Sequence, residues 1–357
     1  VEKVQVQSST NNYQIIIGNG LMKDISHYLT KEYSSILIIT DDKVADLYLQ
    51  KIKLGLPKDR VFEAIVPAGE QSKSIDIFYR LHTDAIKFGL DRHSLIIALG
   101  GGVVGDLAGF VASTFMRGID FVQVPTTILA HDSSVGGKVA INHELGKNMI
   151  GNFFAPVSVI YDVETLSSLS KKEVRSGYAE IMKESMISDD RMFNEIRDTR
   201  LDRITNHQLQ KHLSYGIEVK AAIVQEDEKE SGVRKYLNLG HTLGHALEAE
   251  MGYGKLTHGE AVAIGLLFSL HVSNEIYGAN LPFQSLFTWL KENDYPIDIT
   301  NWDYDAVINR MKSDKKTTNK QIQMVLLKEI GKPTVEKIND DALKTYLQSF
   351  KGKLVSK

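Results

Sequence analysis

The chain has 357 residues, with 42 lysines and arginines against 45 aspartates and glutamates, for a net charge of −3. Its 43% hydrophobic and 24% charged content excludes collagen-like, coiled-coil and wholly disordered chains, and the near-balanced charge speaks against a dedicated nucleic-acid binder. Cysteine is absent, which excludes disulfides and thiolate metal centres, so any metal must rest on His, Asp or Glu.

A single core seldom grows past about 250–300 residues, so two domains are expected. The start, Val1 to Asn12, is polar and shows no apolar leader core. Ile36–Ile39, Leu95–Leu99, Phe121–Pro125 and Val157–Ile160 are short apolar runs rich in β-branched residues. Unbroken runs of this kind fit parallel strands covered on both faces. Between them, Ile75, Phe78, Tyr79, Leu81, Ala85 and Ile86 fall near helical spacing. The sum predicts βαβ units and a Rossmann-like α/β nucleotide-binding domain over residues 1–168. From residue 169 to 357 the texture becomes that of a mostly α-helical domain. Amphipathic patterns cover Lys172–Ser188, His207–Val224, Gly240–Met251 and Gly259–Tyr277, and Gln321–Leu327 is the clearest strand. Ala261–Leu270 is near-apolar but short of the about 20 residues that span a bilayer. A cytoplasmic protein without membrane contact is expected.

Gly100-Gly101-Gly102-Val103-Val104-Gly105-Asp106 follows a strand and precedes a helical pattern. Glycines let the backbone turn sharply and approach a ligand, and a helix N-terminus favours an anion. Alone, the cluster serves a tight turn as readily as a pyrophosphate, and it is not read as a dinucleotide fingerprint. Thr126 and Thr127 stand at the carboxyl end of the next strand, where open α/β sheets bind ligands. Two further glycine turns, ending in Lys138 and Lys147, suggest phosphate or carboxylate capture, although single lysines are commonly surface residues.

Four of the eleven histidines, His241, His245, His258 and His271, fall close together. His241 and His245 stand at i, i+4, the spacing of two-histidine metal helices, but the intervening residues are not those of an HExxH protease. His271, deep in an apolar helix, reads as a core histidine. Glu180 has small and apolar neighbours and Lys183 one turn on, which a plain helical ion pair would also explain.

Taken together, Gly100–Phe110, Arg117-Gly118, Gln123–Lys138, Gly146–Gly151, Ser176–Lys183, Arg234–Glu248, His258-Gly259-Glu260 and Asp314-Lys315-Lys316 resemble the 3-dehydroquinate synthase family of sugar-phosphate cyclases, in order along nearly the whole chain. The resemblance implies an NAD-binding α/β domain, a helical metal-binding domain and a cleft between them. It implies conversion of 3-deoxy-D-arabino-heptulosonate 7-phosphate into 3-dehydroquinate and phosphate, a step of the shikimate pathway. Transient oxidation by NAD, phosphate elimination, re-reduction and an intramolecular aldol closure make the net reaction that of a lyase.

Residue by residue, the resemblance places a divalent ion, zinc foremost with cobalt as the alternative, on Glu180, His241 and His258, and makes His245 a substrate or proton-handling residue instead of a ligand. It places Lys183 near the oxidised hydroxyl and Asp132 in the substrate's hydrogen-bond network. Lys138 and Asn148 fall on phosphate contacts, and Arg117 reaches a neighbouring subunit's site in a homodimer. Arg234, Asn238 and Lys220 fall around the substrate carboxylate, with one of Lys315 and Lys316 also reaching substrate. NAD contacts fall on Asp41, Glu70, Lys73, Gly101, Gly102, Val103, Val104, Gly105, Asp106, Thr126, Thr127, Lys138, Lys147, Thr165, Leu166, Ser167 and Ser168. Rival readings are a related cyclase lacking a substrate carboxylate, a metal-dependent polyol dehydrogenase, and a non-catalytic NAD- or metal-binding module.

Overall fold

The computed structural model describes residues 1–8, 11–228, 230, 232–252, 254–298, 302–313 and 322–355. The chain divides into two compact units, 1–169 with 220–228 and 170–219 with 229–357. The expected single cut after residue 168 therefore misses one segment. Residues 220–228 return to the first unit, where Lys220 pairs with Asp132 and Gln225 donates to the Gln5 carbonyl.

The first unit is built on a seven-stranded sheet. Its strands are β1 (Glu2–Val6), β2 (Tyr13–Gly18), β3 (Ile36–Asp41), β4 (Val61–Val66), β5 (Leu95–Gly100), β6 (Asp120–Pro125) and β9 (Ser158–Asp162). The spatial order is β1-β2-β9-β6-β5-β3-β4; every pairing is parallel except that of β1 with β2. The apolar runs are the central strands, buried on both faces. Leu37, Ile39, Ile96 and Ala98 pack under the helices Ile75–Lys87 and Gly102–Thr114, while Ile36, Ile38, Leu95, Ile97 and Leu99 face Met22, Ile25 and Ile52. Period-two alternation thus feeds two cores from one run. The helix Ile75–Lys87 starts where the Ser74 hydroxyl accepts the Ile77 N–H. Its apolar residues do not share one face: Leu81 and Ala85 are buried, whereas Ile75, Tyr79 and Ile86 are exposed.

β7 (Lys138–His143) and β8 (Gly146–Phe153) form an antiparallel hairpin. Val139 and Ile141 pack on the helix Gly102–Thr114. A Cβ on Gly109 would lie 2.5 Å from a Val139 methyl, so glycine sets that approach. Lys138 follows Gly136 and Gly137, both at positive φ, and opens β7; Lys147 follows Gly146 at the start of β8, so both lysines stand where a turn passes into a paired strand.

The second unit is mostly helical. The helix Lys171–Ser188 opens on a capping box between Ser170 and Glu173, and the helix His258–Tyr277 on one between Thr257 and Glu260. The helix His241–Met251 packs beside the latter, and β10 (Ile322–Glu329) pairs antiparallel with β11 (Lys332–Ile338). Among the described residues, no helix is long and apolar enough to cross a membrane.

Candidate active site

In the second unit, three elements converge. Glu180 lies mid-helix in Lys171–Ser188, His241 is the first residue of its helix, and His258 is the first residue of another. Two glycines allow the close crossings. A Cβ on Gly259 would sit 1.9 Å from the Ser176 carbonyl oxygen, and one on Gly265 would sit 1.8 Å from that of Gly240. Glu180 and Lys183 are buried side by side, with Lys183 Nζ 2.5 Å from Glu180 Oε2. The other oxygen, Glu180 Oε1, lies 3.4 Å from His241 Nε2 and 3.2 Å from His258 Nε2, buried and without a hydrogen bond. His241 Nδ1 is 3.1 Å from the Leu239 carbonyl; with its proton there, the Nε2 lone pair faces Glu180. His245 joins the group, since ring nitrogens of His241, His245 and His258 lie within 4.8 Å of one another.

Burial would push the Glu180 carboxyl up, but Lys183 and the approaching imidazoles hold it well below the usual range. Burial pushes His241 down to about 4. Burial also opposes charge on His258, yet Glu180 and Glu248 overcome it and raise the imidazole to about 9. A carboxylate oxygen facing a neutral imidazole lone pair is an unfavourable contact that a cation between them resolves. One carboxylate and two or three imidazoles form a zinc-type donor set, so these residues fit a divalent ion.

In the first unit, Gly100, Gly102 and Gly105 do stand at G-x-G-x-x-G spacing, between β5 and the helix Gly102–Thr114, the context that gives this fingerprint its meaning. The N-cap, Gly101, offers no side chain to the first amides, which leaves the helix end suited to an anion. Val103 and Val104 continue that first turn, and Asp106 bonds Lys73 Nζ at 2.6 Å. Thr126 is buried, and Thr127 accepts the Ala130 N–H. Asp41, at the carboxyl end of β3, accepts the Val44 N–H, and burial moves its carboxyl upward. Thr165, Leu166, Ser167 and Ser168 end the short 3-10 turn Val163–Ser168, and the hydroxyls of Thr165, Ser167 and Ser168 donate to the carbonyls of Asp162, Glu164 and Thr165.

Lys220 and Asp132, distant in sequence, meet at 2.8 Å. Lys220, which the resemblance groups with Arg234 and Asn238 around a substrate carboxylate, is paired with Asp132. Arg117 is exposed, and with Met116 it holds positive φ (69° and 48°). Arg234 is buried on the turn Val233–Asn238, and Asn238 donates to Glu230 at 3.0 Å. Lys315 and Lys316 lie outside the described residues. Glu248, not singled out from the sequence, lies 3.5 Å from His258 Nδ1. Its i+7 spacing from His241 and i+3 from His245 would have shown one shared helix face. A groove of about 620 Å³ lined by Arg197, Arg200, Gln284 and Glu292 among others shares no residue with these clusters.

Comparison with known proteins gives a consistent result. Family models described as "3-dehydroquinate synthase N-terminal" and "3-dehydroquinate synthase C-terminal" match residues 63–176 and 177–317. A 3-dehydroquinate synthase of Oceanobacillus iheyensis is 56% identical over 352 residues, covering 98% of each chain. A crystal structure of 2-deoxy-scyllo-inosose synthase complexed with carbaglucose-6-phosphate, NAD+ and Co2+ superposes with a TM-score of 0.87 at 26% identity, covering 98% of this chain and 100% of that one. The 2-epi-5-epi-valiolone synthase of Streptomyces hygroscopicus subsp. jinggangensis, with NAD+ and Zn2+ bound, shares the fold at a TM-score of 0.82 and 20% identity, covering 99% and 100%.

Proposed function

The chain belongs to the 3-dehydroquinate synthase family, and from that premise we propose that it converts 3-deoxy-D-arabino-heptulosonate 7-phosphate into 3-dehydroquinate and phosphate. The observation that carries the reading is the buried Glu180 Oε1 facing both His241 Nε2 and His258 Nε2, a donor set for a divalent ion in a chain of this family. NAD, held at the Gly100–Asp106 turn, supplies a hydride acceptor and donor, and a zinc or cobalt ion on Glu180, His241 and His258 supplies Lewis-acid stabilisation of alkoxide charge.

The chain's own residues do the rest. Lys183 keeps an ammonium beside Glu180 at the edge of the ligand set, a donor for a substrate hydroxyl. His245 presents an imidazole next to the ligands for proton handling. Arg234 grips the substrate carboxylate with its paired N–H groups, aided by Asn238. Asp132 and Lys220 act as a pair toward the substrate, and Lys138 and Asn148 serve its phosphate. Exposed Arg117, held on a left-handed backbone, reaches the phosphate of a second copy in a homodimer. Residues 1–168 carry the proposed cofactor contacts together with Asp132, Lys138, Asn148 and Arg117 for the substrate, and 169–357 carry the metal ligands and the remaining substrate contacts. The setting is the cytoplasm, where NAD and phosphorylated sugar acids are held.

The deciding experiment is phosphate release from the heptulosonate phosphate, with and without NAD+ and a chelator. Phosphate and 3-dehydroquinate should appear in equal amounts without net NADH, stop on chelation, and return with zinc or cobalt. Net NADH without phosphate would instead identify a polyol dehydrogenase. NAD+ binding without turnover would identify a non-catalytic module.

A further inference from the structure

Within the first unit, three residues close a ring of hydrogen bonds. The Asn142 N–H donates to the Lys73 carbonyl at 2.7 Å. The Asn148 N–H donates to Asn142 Oδ1 at 2.8 Å, and Lys73 Nζ donates to Asn148 Oδ1. Two arms leave the ring toward the proposed cofactor site: Asn142 Nδ2 donates to Glu70 Oε1 at 2.7 Å, and Lys73 Nζ donates to Asp106 at 2.6 Å. Asn148 sits on the hairpin strand β8 with φ of 56°, a conformation that asparagine tolerates better than most residues but that still needs support. The ladder of β7 and β8 is irregular between Ile141 and His143. At that irregularity, the Asn142 side chain supplies the acceptor that the Asn148 amide uses.

We propose that Asn142 is a positioning residue that ties the cofactor side, through Glu70 and Lys73, to the phosphate-side Asn148. This rests on the function proposed above. Asn142 has two separable jobs. Its carbonyl oxygen holds the Asn148 backbone, and its amide nitrogen holds the Glu70 carboxylate. The ring makes the two sides interdependent, because Lys73 contributes both its carbonyl and its ammonium.

Substitutions separate the jobs. In the full chain, Asn142→Ala should raise the KM for the heptulosonate phosphate about tenfold and weaken NAD+ binding about threefold, each on the scale of one lost hydrogen bond. Asn142→Asp keeps an acceptor for Asn148 but sets a carboxylate against Glu70. It should leave KM within about twofold of wild type while weakening NAD+ more than the alanine does. A double variant with Asn148→Ala should show a KM no higher than Asn148→Ala alone, as for members of one ring. Calorimetry with NAD+, alone and with inorganic phosphate, gives the binding arms, and melting curves confirm folding.

The proposal is overturned if Asn142→Ala and Asn142→Asp change KM and NAD+ binding in parallel, or if the Asn142 and Asn148 effects on KM multiply. It is equally overturned if only the melting temperature moves. Wild-type chain that releases no phosphate would overturn the proposed function; the NAD+ and inorganic phosphate binding arms would then still decide the role of Asn142.

Discussion

At the scale of the residue, Glu180 carries three burdens. It is buried, it neutralises Lys183, and its second oxygen faces two imidazoles. Glu180→Gln removes the charge with little change of shape. It should lower metal affinity and turnover by more than about 100-fold, beyond the 10–100-fold usual for an outer partner. NAD+ binding should stay near wild type, as judged by metal content and calorimetry. Glu248→Gln tests that outer partner: His258 loses a carboxylate beside Nδ1, and zinc affinity should fall about 10–100-fold with the fold intact. Arg234 is buried on its turn. Arg234→Ala should cost about 30–100-fold in kcat/KM for a carboxylate substrate. Arg234→Lys should recover only part, because one ammonium cannot make two parallel bonds. Unchanged kinetics would favour a cyclase whose substrate lacks the carboxylate. Glu180 and Arg234 were legible in the sequence because the resemblance names them one by one, whereas Glu248 was not. The pairing of Lys220 with Asp132 was not, since no local pattern links positions that far apart.

At the scale of the element, the metal cluster depends on how closely the helices cross. Gly259 follows His258 directly, and its Cα packs against the Ser176 backbone, one turn before Glu180. Gly259→Ala would force a methyl to 1.9 Å from a carbonyl oxygen. Backbone against backbone cannot yield as a flexible side chain would, so the cost should be about 2–3 kcal/mol of stability, with loss of bound metal. A melting curve that falls while metal content stays full would show that the helix shifts without moving His258. Arg175 supports the same crossing: its Nη2 lies 2.7 Å from buried Glu260 Oε1, joining the Glu180 helix to the His258 helix. The sequence showed β3, β5, β6 and β9 plainly, because burial on both faces leaves an unbroken apolar run. The hairpin β7–β8 escaped notice for the converse reason. β8 has no fully buried residue, so its composition reads as loop, and only Val139, Ala140 and Ile141 of β7 are buried. Exposed Ile75, Tyr79 and Ile86 show the same limit in a helix, where apolar spacing marks more than one face.

At the scale of the whole molecule, stability against pH reads out a histidine that the chemistry does not use. His271 is fully buried in the helix His258–Tyr277, among the rings of Phe268, Phe283 and Phe350. Its Nε2 lies 2.8 Å from the Ser349 hydroxyl, and its Nδ1 accepts from Lys353 Nζ at 2.9 Å. Burial and then the Lys353 charge push it down to about 4, against a weaker opposing pull from Glu275. The folded chain therefore keeps His271 neutral, while the unfolded chain protonates it below about 6.5. Its contribution is complete above pH 6.5 and is lost as pH falls through 4, by about 3 kcal/mol at the limit. His271→Leu keeps the volume and removes the proton site. Ser349 and Lys353, both exposed, can return to water. The variant should lie within about 1.5 kcal/mol of wild type at pH 7 and gain on it steadily between pH 6.5 and 4, measured by urea unfolding at each pH. If the two stability curves run parallel through that window, His271 takes up its proton in the folded chain as readily as in the unfolded one, and its buried aromatic setting does not control its proton.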